Sequence, residues 1–338
     1  MNYGGGPSFL LASTDASPVL EHNAAGRSPF LFTCDHYGRL IPSSLGDLGL
    51  PEGELVRHIA WDIGIAGVAT QLSDLLGAHL IAQRYSRLVI DCNRPPHVAS
   101  SVPLISEATT VPGNEGLSRE AAEMRRAQIF DPYHRRIDHI IDERARQGMP
   151  TVLVSLHSFT PVYAGIARPW HIGTLYHHDK ALPPLLLKHL RAEGDLVVGD
   201  NEPYAVSDET DYTIPVHGEQ RGLMNSGIEI RQDLISDQAG ETAWAERLAR
   251  ILGEIETTLR AEITDRVAPG VVYTTFHHPD TQANVITTDF SDWATNCPEY
   301  KVTAVQISPS NGPSDWQKAY DEQARISRRI APVVEAAE

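Results

Sequence analysis

Two apolar runs of the chain each carry a histidine close to their carboxyl end. Pro29 to His36 has the sequence PFLFTCDH, and Thr151 to Phe159 has the sequence TVLVSLHSF. Short, β-rich apolar runs of this kind are typical of buried strands in a parallel or mixed sheet. In open α/β sheets, ligands and catalytic groups gather at the carboxyl ends of such strands. Two histidines there are the natural start of a metal site, because neutral imidazole suits zinc.

Segments with apolar residues at helical spacing alternate with further short strands. The predicted helices span residues 54–76, 118–147, 184–193 and 241–266. The additional predicted strands span residues 79–83, 86–91, 171–177, 195–199 and 225–234. This order of elements predicts an α/β fold, a three-layer sandwich with a mixed central sheet flanked by helices.

The two ends of the chain differ from its middle. Residues 1–28 are polar and rich in Gly, Ser and Ala, which predicts an N-terminal arm, whereas residues 29–266 carry the alternating elements of the main domain. Residues 267–338 form an extension of unassigned role, with predicted strands at Val271–Phe276 and Val302–Ile307 and an amphipathic helix at Asp315–Arg329. The extension is expected either to add a layer to the same domain or to form a homodimer contact.

Composition and charge narrow the class of protein. The chain of 338 residues is 41% hydrophobic and 21% charged, as in an ordinary globular protein. No stretch approaches the roughly 18 apolar residues that a membrane helix needs, and no signal peptide is evident, so we expect no membrane partner. The three cysteines are too few for a disulfide framework, which favours a reducing cytoplasm. A net charge of −16 argues against nucleic acid as a partner, although arginines in a cleft can still bind a small anion.

A catalytic zinc ion usually takes three protein ligands and one water. His36 and His157 are two candidates, and Asp62, an acid inside an otherwise apolar stretch, is the third. The alternatives remain open at this point. Either histidine could be an ordinary hydrogen-bonded residue, and Asp62 could instead pair with an arginine or cap a helix.

Glu229 lies between two isoleucines in a predicted strand, so its side chain points to the face opposite theirs. If that face is a cleft, Glu229 is suited to act as the general base for a metal-activated water. The alternative is a salt bridge with Arg231, which lies two residues further along on the same face.

Arginines near these segments are candidates for binding a substrate carboxylate, because a planar guanidinium offers two parallel hydrogen bonds. Arg87 and Arg94 flank the predicted strand at 88–91, Asn93 precedes Arg94, and Arg221 precedes the Glu229 strand. Solvation at the surface is the ordinary alternative for each arginine. The chain has neither a P-loop nor a dinucleotide-binding glycine fingerprint.

Seven motifs in order resemble those of the N-formylglutamate amidohydrolase family, and together they cover about residues 29–266. They are Cys34-Asp-His36, His58-Ile-Ala-Trp-Asp-Ile-Gly64, Tyr85 to Pro95 (YSRLVIDCNRP), Pro132-Tyr-His134, His157-Ser-Phe-Thr-Pro161, Gly199-Asp-Asn-Glu-Pro-Tyr204, and the stretch from His217 through Arg221 to Leu234. The family is similar in fold to zinc carboxypeptidases.

The resemblance implies a role for several residues. The His157 motif resembles the second histidine ligand of carboxypeptidases, Asn93-Arg94 resembles their carboxylate-binding pair, and Glu229 resembles their catalytic glutamate. One position departs from the pattern: carboxypeptidases have a glutamate ligand three residues after the first histidine, and this chain has Arg39 there. Asp62 therefore stays an inferred third ligand.

These observations predict a zinc-dependent amidohydrolase, with one zinc per chain, that cleaves the amide bond of a small anionic N-acyl amino acid of the N-formyl type. The predicted residues are Glu229 as general base, His36, Asp62 and His157 as zinc ligands, and Arg87, Asn93, Arg94, His217 and Arg221 at the substrate. Two alternatives remain: a carboxypeptidase-like or dipeptide hydrolase, and a metal-free binding or regulatory protein on the same fold.

Overall fold

The computed structural model describes residues 9–255 of the chain. The strands in this range are β1 (Val19–His22), β2 (Phe30–Cys34), β3 (His79–Gln83), β4 (Ile105–Ser106), β5 (Thr109–Thr110), β6 (Val152–Phe159), β7 (Val162–Tyr163), β8 (Ile166–Ala167), β9 (Ile172–Leu175), β10 (Val198–Asp200) and β11 (Met224–Arg231). The helices are α1 (Glu52–Leu55), α2 (Ile65–Leu76), α3 (Arg119–Arg125), α4 (Asp131–Arg146), α5 (Leu182–Ala192) and α6 (Gln238–Ile255). A π-helical turn at Arg126–Phe130 joins α3 to α4.

One seven-stranded sheet, in the order β1-β3-β2-β6-β11-β9-β10, organises the described residues. Strands β3, β2, β6 and β11 run parallel, β1 and β9 are antiparallel to their inner neighbours, and β10 is parallel to β9. The mixed central sheet predicted from the sequence is thus confirmed. β2 and β6 are buried along their whole length, which explains their nearly continuous apolar sequences, because interior strands of parallel sheets are covered on both faces.

Helices flank this sheet. Side chains of β2, β3 and β6 that share one face, such as Leu31, Ile81 and Leu153, pack in one hydrophobic cluster with Tyr133, Ile137 and Ile140 of α4. α2 lies against β2, β3 and β6, and α5 lies against β9, β10 and β11. Within the described part of the chain, no helix is long and apolar enough to cross a membrane.

The predicted helix over 54–76 is wrong in its middle. Helix α1 ends at Leu55 and α2 begins only at Ile65, so residues 56–64 form a connection that contains Asp62. Gly64 ends this connection with a φ of +79°, and a Cβ atom at Gly64 would clash with the carbonyl oxygen of Ile235. Because glycine tolerates this conformation and other residues rarely do, the chain breaks here instead of continuing the helix.

Two further predictions need correction. The segment 86–91 is not a strand: its backbone N–H groups bond to scattered partners, such as Ser86 to Leu40 O (2.8 Å) and Asp91 to Ser101 O (2.7 Å). Its apolar residues are buried in the core of the domain, and that burial produced the strand-like pattern. The predicted arm over 1–28 also contributes to the fold, since β1 pairs with β3 at the sheet edge.

Several predictions fall outside the described residues. These are the end of the helix predicted to reach residue 266, and the strands at Val271–Phe276 and Val302–Ile307 and the helix at Asp315–Arg329 in the extension.

Candidate metal centre

Three separate segments bring His36, Asp62 and His157 together at the carboxyl edge of the sheet. His36 follows β2 by two residues, and His157 lies near the end of β6. Asp62 comes from the connection between α1 and α2, and its backbone N–H donates to the carbonyl oxygen of His36 (3.0 Å). The break in the predicted helix is therefore what carries Asp62 to the histidines.

The three side chains are buried, and one potential ligand atom from each lies within 4.8 Å of the others. His157 Nδ1 is 3.0 Å from Asp62 Oδ2, and His36 Nδ1 is 3.4 Å from the same oxygen. Both Nδ1 atoms thus face one carboxylate oxygen, as ligands around a single cation would.

The opposite nitrogen of each ring is anchored. His36 Nε2 lies 2.7 Å from Asp91 Oδ1, and His157 Nε2 lies 2.9 Å from Ser155 Oγ and 3.3 Å from Asp35 Oδ2. Histidines that bind metals usually donate their second ring N–H to such acceptors, which fixes the tautomer. When Nε2 carries the proton, the lone pair of each Nδ1 points toward Asp62.

An unpaired polar atom supports the presence of a cation. His36 Nδ1 is buried and makes no hydrogen bond within the described structure, although buried polar groups are nearly always paired. The donor set of two imidazoles and one carboxylate fits zinc. The residues present therefore fit a bound metal ion.

The charges of the site lead to the same conclusion. Burial would raise the pKa of Asp62, but His36 and His157 outweigh it and hold this pKa well below its ordinary value. The pKa of Asp91 is also well below its ordinary value, because Arg87 and His36 lower it by more than burial raises it. When both imidazoles are neutral, the site contains three carboxylates and the Arg87 guanidinium. The three carboxylates are Asp35, Asp62 and Asp91. The site then has an excess of two buried negative charges, which a divalent cation would offset.

The histidine pKa values follow from the same surroundings. Burial disfavours the imidazolium of His157, yet its contacts with Asp35 and Asp62 outweigh this and raise its pKa well above the ordinary value. For His36, burial and Arg87 lower the pKa, but Asp91 and Asp62 outweigh them, so the pKa is raised above its ordinary value. The site is thus built to hold positive charge between its carboxylates.

Glu229 lies beside this cluster. It is the register partner of His157 on the neighbouring strand β11, and both side chains therefore project from the same face of the sheet. Its neighbours Ile228 and Ile230 are fully buried on the other face. Arg231 pairs with Asp233 (2.7 Å), so the alternative salt bridge between Arg231 and Glu229 is not formed.

The Glu229 carboxyl has the properties of a proton carrier. Its Oε2 is buried without a hydrogen-bond partner in the described structure. Burial raises the pKa of Glu229 to about 7, against the opposing field of His157. A carboxyl group with a pKa near neutrality can both accept and return a proton.

The residues predicted at the substrate divide into two groups. Arg87 joins the cluster directly, through Asp91 (2.8 Å) and Asp62 (3.4 Å). Asn93 Oδ1 accepts the backbone N–H groups of Tyr212 (3.2 Å) and Thr213 (3.1 Å) and so holds that loop. The Arg94 side chain donates to Thr210 O (2.6 Å).

His217 and Arg221 contact α4 instead. His217 Nδ1 lies 3.0 Å from Asp138 Oδ1, and its Nε2 lies 2.9 Å from His134 Nδ1. Arg221 pairs with Asp138 and Asp142, both at 2.7 Å. The structure thus brings these two residues to each other through Asp138, and gives them no contact with His36, Asp62 or His157.

Sequence reasoning missed the residues that orient the histidines. Asp35 and Asp91 both lie in quoted motifs, one directly before His36 and one at the end of the apolar run 88–90. An acid that follows an apolar run and is then found buried needs a partner, and this signal could have identified both. Ser155 lies two residues before His157 and therefore on the same strand face, which is the only indication of its role that the sequence offers.

A second group of potential ligands, His177, His178 and Glu219, also has its atoms within 4.8 Å of one another. It is less buried than the first group. Glu219 already accepts a hydrogen bond from the backbone N–H of His178 (2.5 Å). Within residues 9–255, no carboxylate forms a hydrogen bond with the imidazole ring of His177 or His178.

The fold and site define a class: an α/β protein with a mixed sheet and a candidate metal centre at its carboxyl edge. Residues 28–236 match the sequence profile of the N-formylglutamate amidohydrolase family. This match covers more than half of the chain, which therefore belongs to the N-formylglutamate amidohydrolase family. A profile of the molydopterin dinucleotide binding domain matches residues 253–304.

Two solved structures share the fold of this chain. A gene product of Agrobacterium tumefaciens is 39% identical with a TM-score of 0.70, covering 72% of this chain and 97% of that one. The N-formylglutamate amidohydrolase of Ralstonia eutropha JMP134 shares the fold at 17% identity and a TM-score of 0.53, covering 70% of this chain and 96% of its own.

Two curated proteins named N-formylglutamate deformylase are also similar. The protein from Pseudomonas putida is 28% identical over 183 residues, which are 49% of this chain and 66% of that relative. The protein from Pseudomonas aeruginosa is 35% identical over 127 residues, which are 33% of this chain and 45% of that relative. The alignments thus span between about half and two thirds of the length of these relatives.

Proposed function

We propose that this protein is a zinc-dependent amidohydrolase that cleaves the amide bond of a small, anionic N-acyl amino acid of the N-formyl type. The observation that carries the proposal is the arrangement at the carboxyl edge of the sheet: two histidines with anchored Nε2 atoms face Asp62, and Glu229 lies alongside. The names of the Pseudomonas relatives support the choice of the acyl group.

His36, Asp62 and His157 would hold the ion. A bound zinc ion supplies Lewis acidity: it polarises the amide carbonyl and lowers the pKa of a water toward about 7. Asp91 and Asp35 keep the two rings oriented, and Arg87 neutralises part of the carboxylate charge around them.

Glu229 moves the proton in this reaction. Its carboxylate takes one proton from the attacking water, and the remaining hydroxyl group bonds to the acyl carbon. The amide C–N bond then breaks, and Glu229 returns the proton to the leaving nitrogen. The products are the free amino acid and the acyl acid, which is formate for a formyl substrate.

The substrate-binding residues stay predictions. Of those predicted from the sequence, Arg94 with Asn93 is the best candidate for the α-carboxylate, because Arg94 lies beside the cluster through Asp91 (3.9 Å) and is partly exposed. We further propose that residues 29–266 form the catalytic domain and that residues 267–338 form an extension of unassigned role.

Turnover tests the proposal. A panel of N-acyl amino acids is incubated with the zinc-loaded full chain, and released amine is measured. The expected result is hydrolysis of N-formyl substrates by the unaltered protein and none by Glu229→Gln, which should keep its metal. Asp233→Asn, which alters a surface carboxylate at the end of the same strand, is the matched control. Full activity of Glu229→Gln would remove Glu229 from the mechanism, and release from peptides instead of N-acyl amino acids would favour a carboxypeptidase-like enzyme.

A further inference from the structure

The hydroxyl group of Thr213 reaches the candidate centre from a distant part of the chain. Thr213 Oγ1 donates to Asp35 Oδ1 (2.8 Å), although the two residues are 178 positions apart, and both side chains are buried. The other oxygen of this carboxylate, Asp35 Oδ2, lies 3.3 Å from His157 Nε2 and 3.3 Å from Ser155 Oγ. The contact with Thr213 is the shortest of these three, and hydrogen bonds to an ionised group are strong. Thr213 therefore fixes the carboxylate that orients His157.

The local chain holds Thr213 in this position. Thr213 lies in the connection between β10 and β11, directly before a π-helical turn at Ile214–Glu219. Two residues earlier, the Asp211 carboxylate accepts hydrogen bonds from the Ser207 backbone N–H (3.1 Å) and from Asn93 Nδ2 (3.2 Å). The connection is thus folded upon itself and fastened to Asn93 immediately before Thr213.

A second path leads from Thr213 to His36. The Thr213 backbone N–H donates to Asn93 Oδ1 (3.1 Å), and the Asn93 backbone N–H donates to Asp91 Oδ1 (2.9 Å). The same Asp91 oxygen lies 2.7 Å from His36 Nε2. Thr213 therefore contacts the branch of the site that orients His36 as well as the branch that orients His157.

The two branches meet again at Asp62. Its Oδ2 atom lies 3.0 Å from His157 Nδ1 and 3.4 Å from His36 Nδ1. The contacts thus form a closed ring that contains all three candidate ligands, and its members in order are His36, Asp91, Asn93, Thr213, Asp35, His157 and Asp62. Polar groups in a buried network of this kind orient and polarise one another.

We propose that Thr213 is a positioning residue that couples the orientations of His36 and His157, because its hydroxyl group holds Asp35 while its backbone N–H holds the branch of Asp91. This inference rests on the proposed function, in which both histidines hold the metal ion. Without the Thr213 hydroxyl, Asp35 Oδ1 keeps no hydrogen-bond donor among the described residues, and the ring is open.

Zinc affinity tests the role of the hydroxyl group. It is measured for the full chain by competition with a chelator of known zinc affinity, in the parent, Thr213→Val, Thr213→Ser and Thr174→Val. Valine keeps the branched shape of threonine without the hydroxyl group, and serine keeps the hydroxyl group. Thr174 is the matched control, because it is also fully buried and its hydroxyl group has no hydrogen-bond partner within the described structure.

Thr213→Val is expected to weaken zinc binding by roughly 10-fold, the lower end of the effect of losing an outer partner of a metal ligand. Thr213→Ser recovers most of this affinity, and Thr174→Val keeps the affinity of the parent. Parent affinity in a folded Thr213→Val variant overturns the inference even though the proposed function stands. A folded Thr213→Ser variant that binds as weakly as Thr213→Val also overturns it, because the hydroxyl group is then not the cause.

A double-mutant cycle tests the coupling. Zinc affinity is also measured for Asp91→Asn, which acts on the His36 branch, and for Asp91→Asn combined with Thr213→Val. In a coupled ring the second break costs less than the first, so the combined loss of affinity is smaller than the product of the two separate losses. A combined loss that equals or exceeds this product shows two independent branches and overturns the inference.

A measurement without metal separates the inference from the proposed function. The full chain is labelled with nitrogen isotope in its histidines and freed of metal, and the ring resonances are assigned with His36→Gln and His157→Gln. Thr213→Val should shift the resonances of both rings, and Thr174→Val those of neither ring. A shift confined to one ring, or no shift in Thr213→Val, overturns the inference. A shift of both rings in a protein that hydrolyses no N-acyl amino acid supports the coupling and contradicts the proposed reaction.

Discussion

The hydrogen bond between Asp91 and His36 orients a candidate metal ligand, and the substitution Asp91→Asn probes it. Asp91 Oδ1 lies 2.7 Å from His36 Nε2, and Asp91 Oδ2 pairs with Arg87 at 2.8 Å. The substitution keeps the shape of the side chain but removes its charge, so the His36 ring loses basicity and its fixed tautomer. Losing such an outer partner typically weakens metal binding 10- to 100-fold, or about 1.4–2.7 kcal/mol.

The chain offers a matched control. His22 and Asp74 form a pair of the same 2.7 Å length, but Asp74 is 59% exposed and Asp91 only 5%. An exposed pair of this kind contributes little to stability, and Asp74→Asn should leave zinc affinity unchanged. Both affinities are measured by competition with a chelator of known zinc affinity, after melting curves have shown that each variant is folded. Wild-type zinc affinity in a folded Asp91→Asn variant would refute the role of Asp91.

Two further predictions concern the frame around the centre. Gly64→Ala forces a non-glycine residue into a φ of +79° against Ile235 O. We therefore expect a loss of at least about 1–2 kcal/mol in the free energy of unfolding, measured with denaturant, and weaker zinc binding because Asp62 shifts. A variant as stable as the parent would contradict this prediction. Burial, reinforced by His217 and opposed by Asp35, the Cys92 carbonyl and Asp138, lowers the pKa of His134 to about 3. Because the unfolded chain takes up this proton near pH 6.5 and the folded chain does not, the free energy of unfolding should fall as the pH drops below about 6.5, with a limiting slope of about 1.4 kcal/mol per pH unit. His134→Gln should flatten this slope, and equal slopes in both proteins would refute the prediction.

The central strands could be predicted from the sequence because their pattern has a single physical cause. The runs that became β2 and β6 are mostly apolar because they are covered on both faces, and Glu229 interrupts β11 between two fully buried isoleucines. Three candidates, His36, Asp62 and His157, come together as one cluster, although they are separated by up to 121 residues in sequence.

Other features depend on contacts that a linear pattern does not contain. The segment 86–91 is apolar because it fills the core from a loop, which gives the same pattern as a strand. The break before α2 depends on the close approach of Gly64 to Ile235, a residue far along the chain. The guanidinium carbon of Arg168 lies 4.7 Å from the ring centroids of both Tyr163 and Tyr204 only because the β7–β8 hairpin meets the loop that carries Tyr204.

Metal content tests the central claim most directly. The full chain is purified after growth with added zinc, and zinc per chain is measured for the parent, for His157→Ala, and for His177→Ala from the second group of potential ligands. The proposed centre predicts about one zinc per chain, lost in His157→Ala and retained in His177→Ala. A folded parent protein without zinc, or one whose zinc survives His157→Ala and disappears in His177→Ala, would contradict the account.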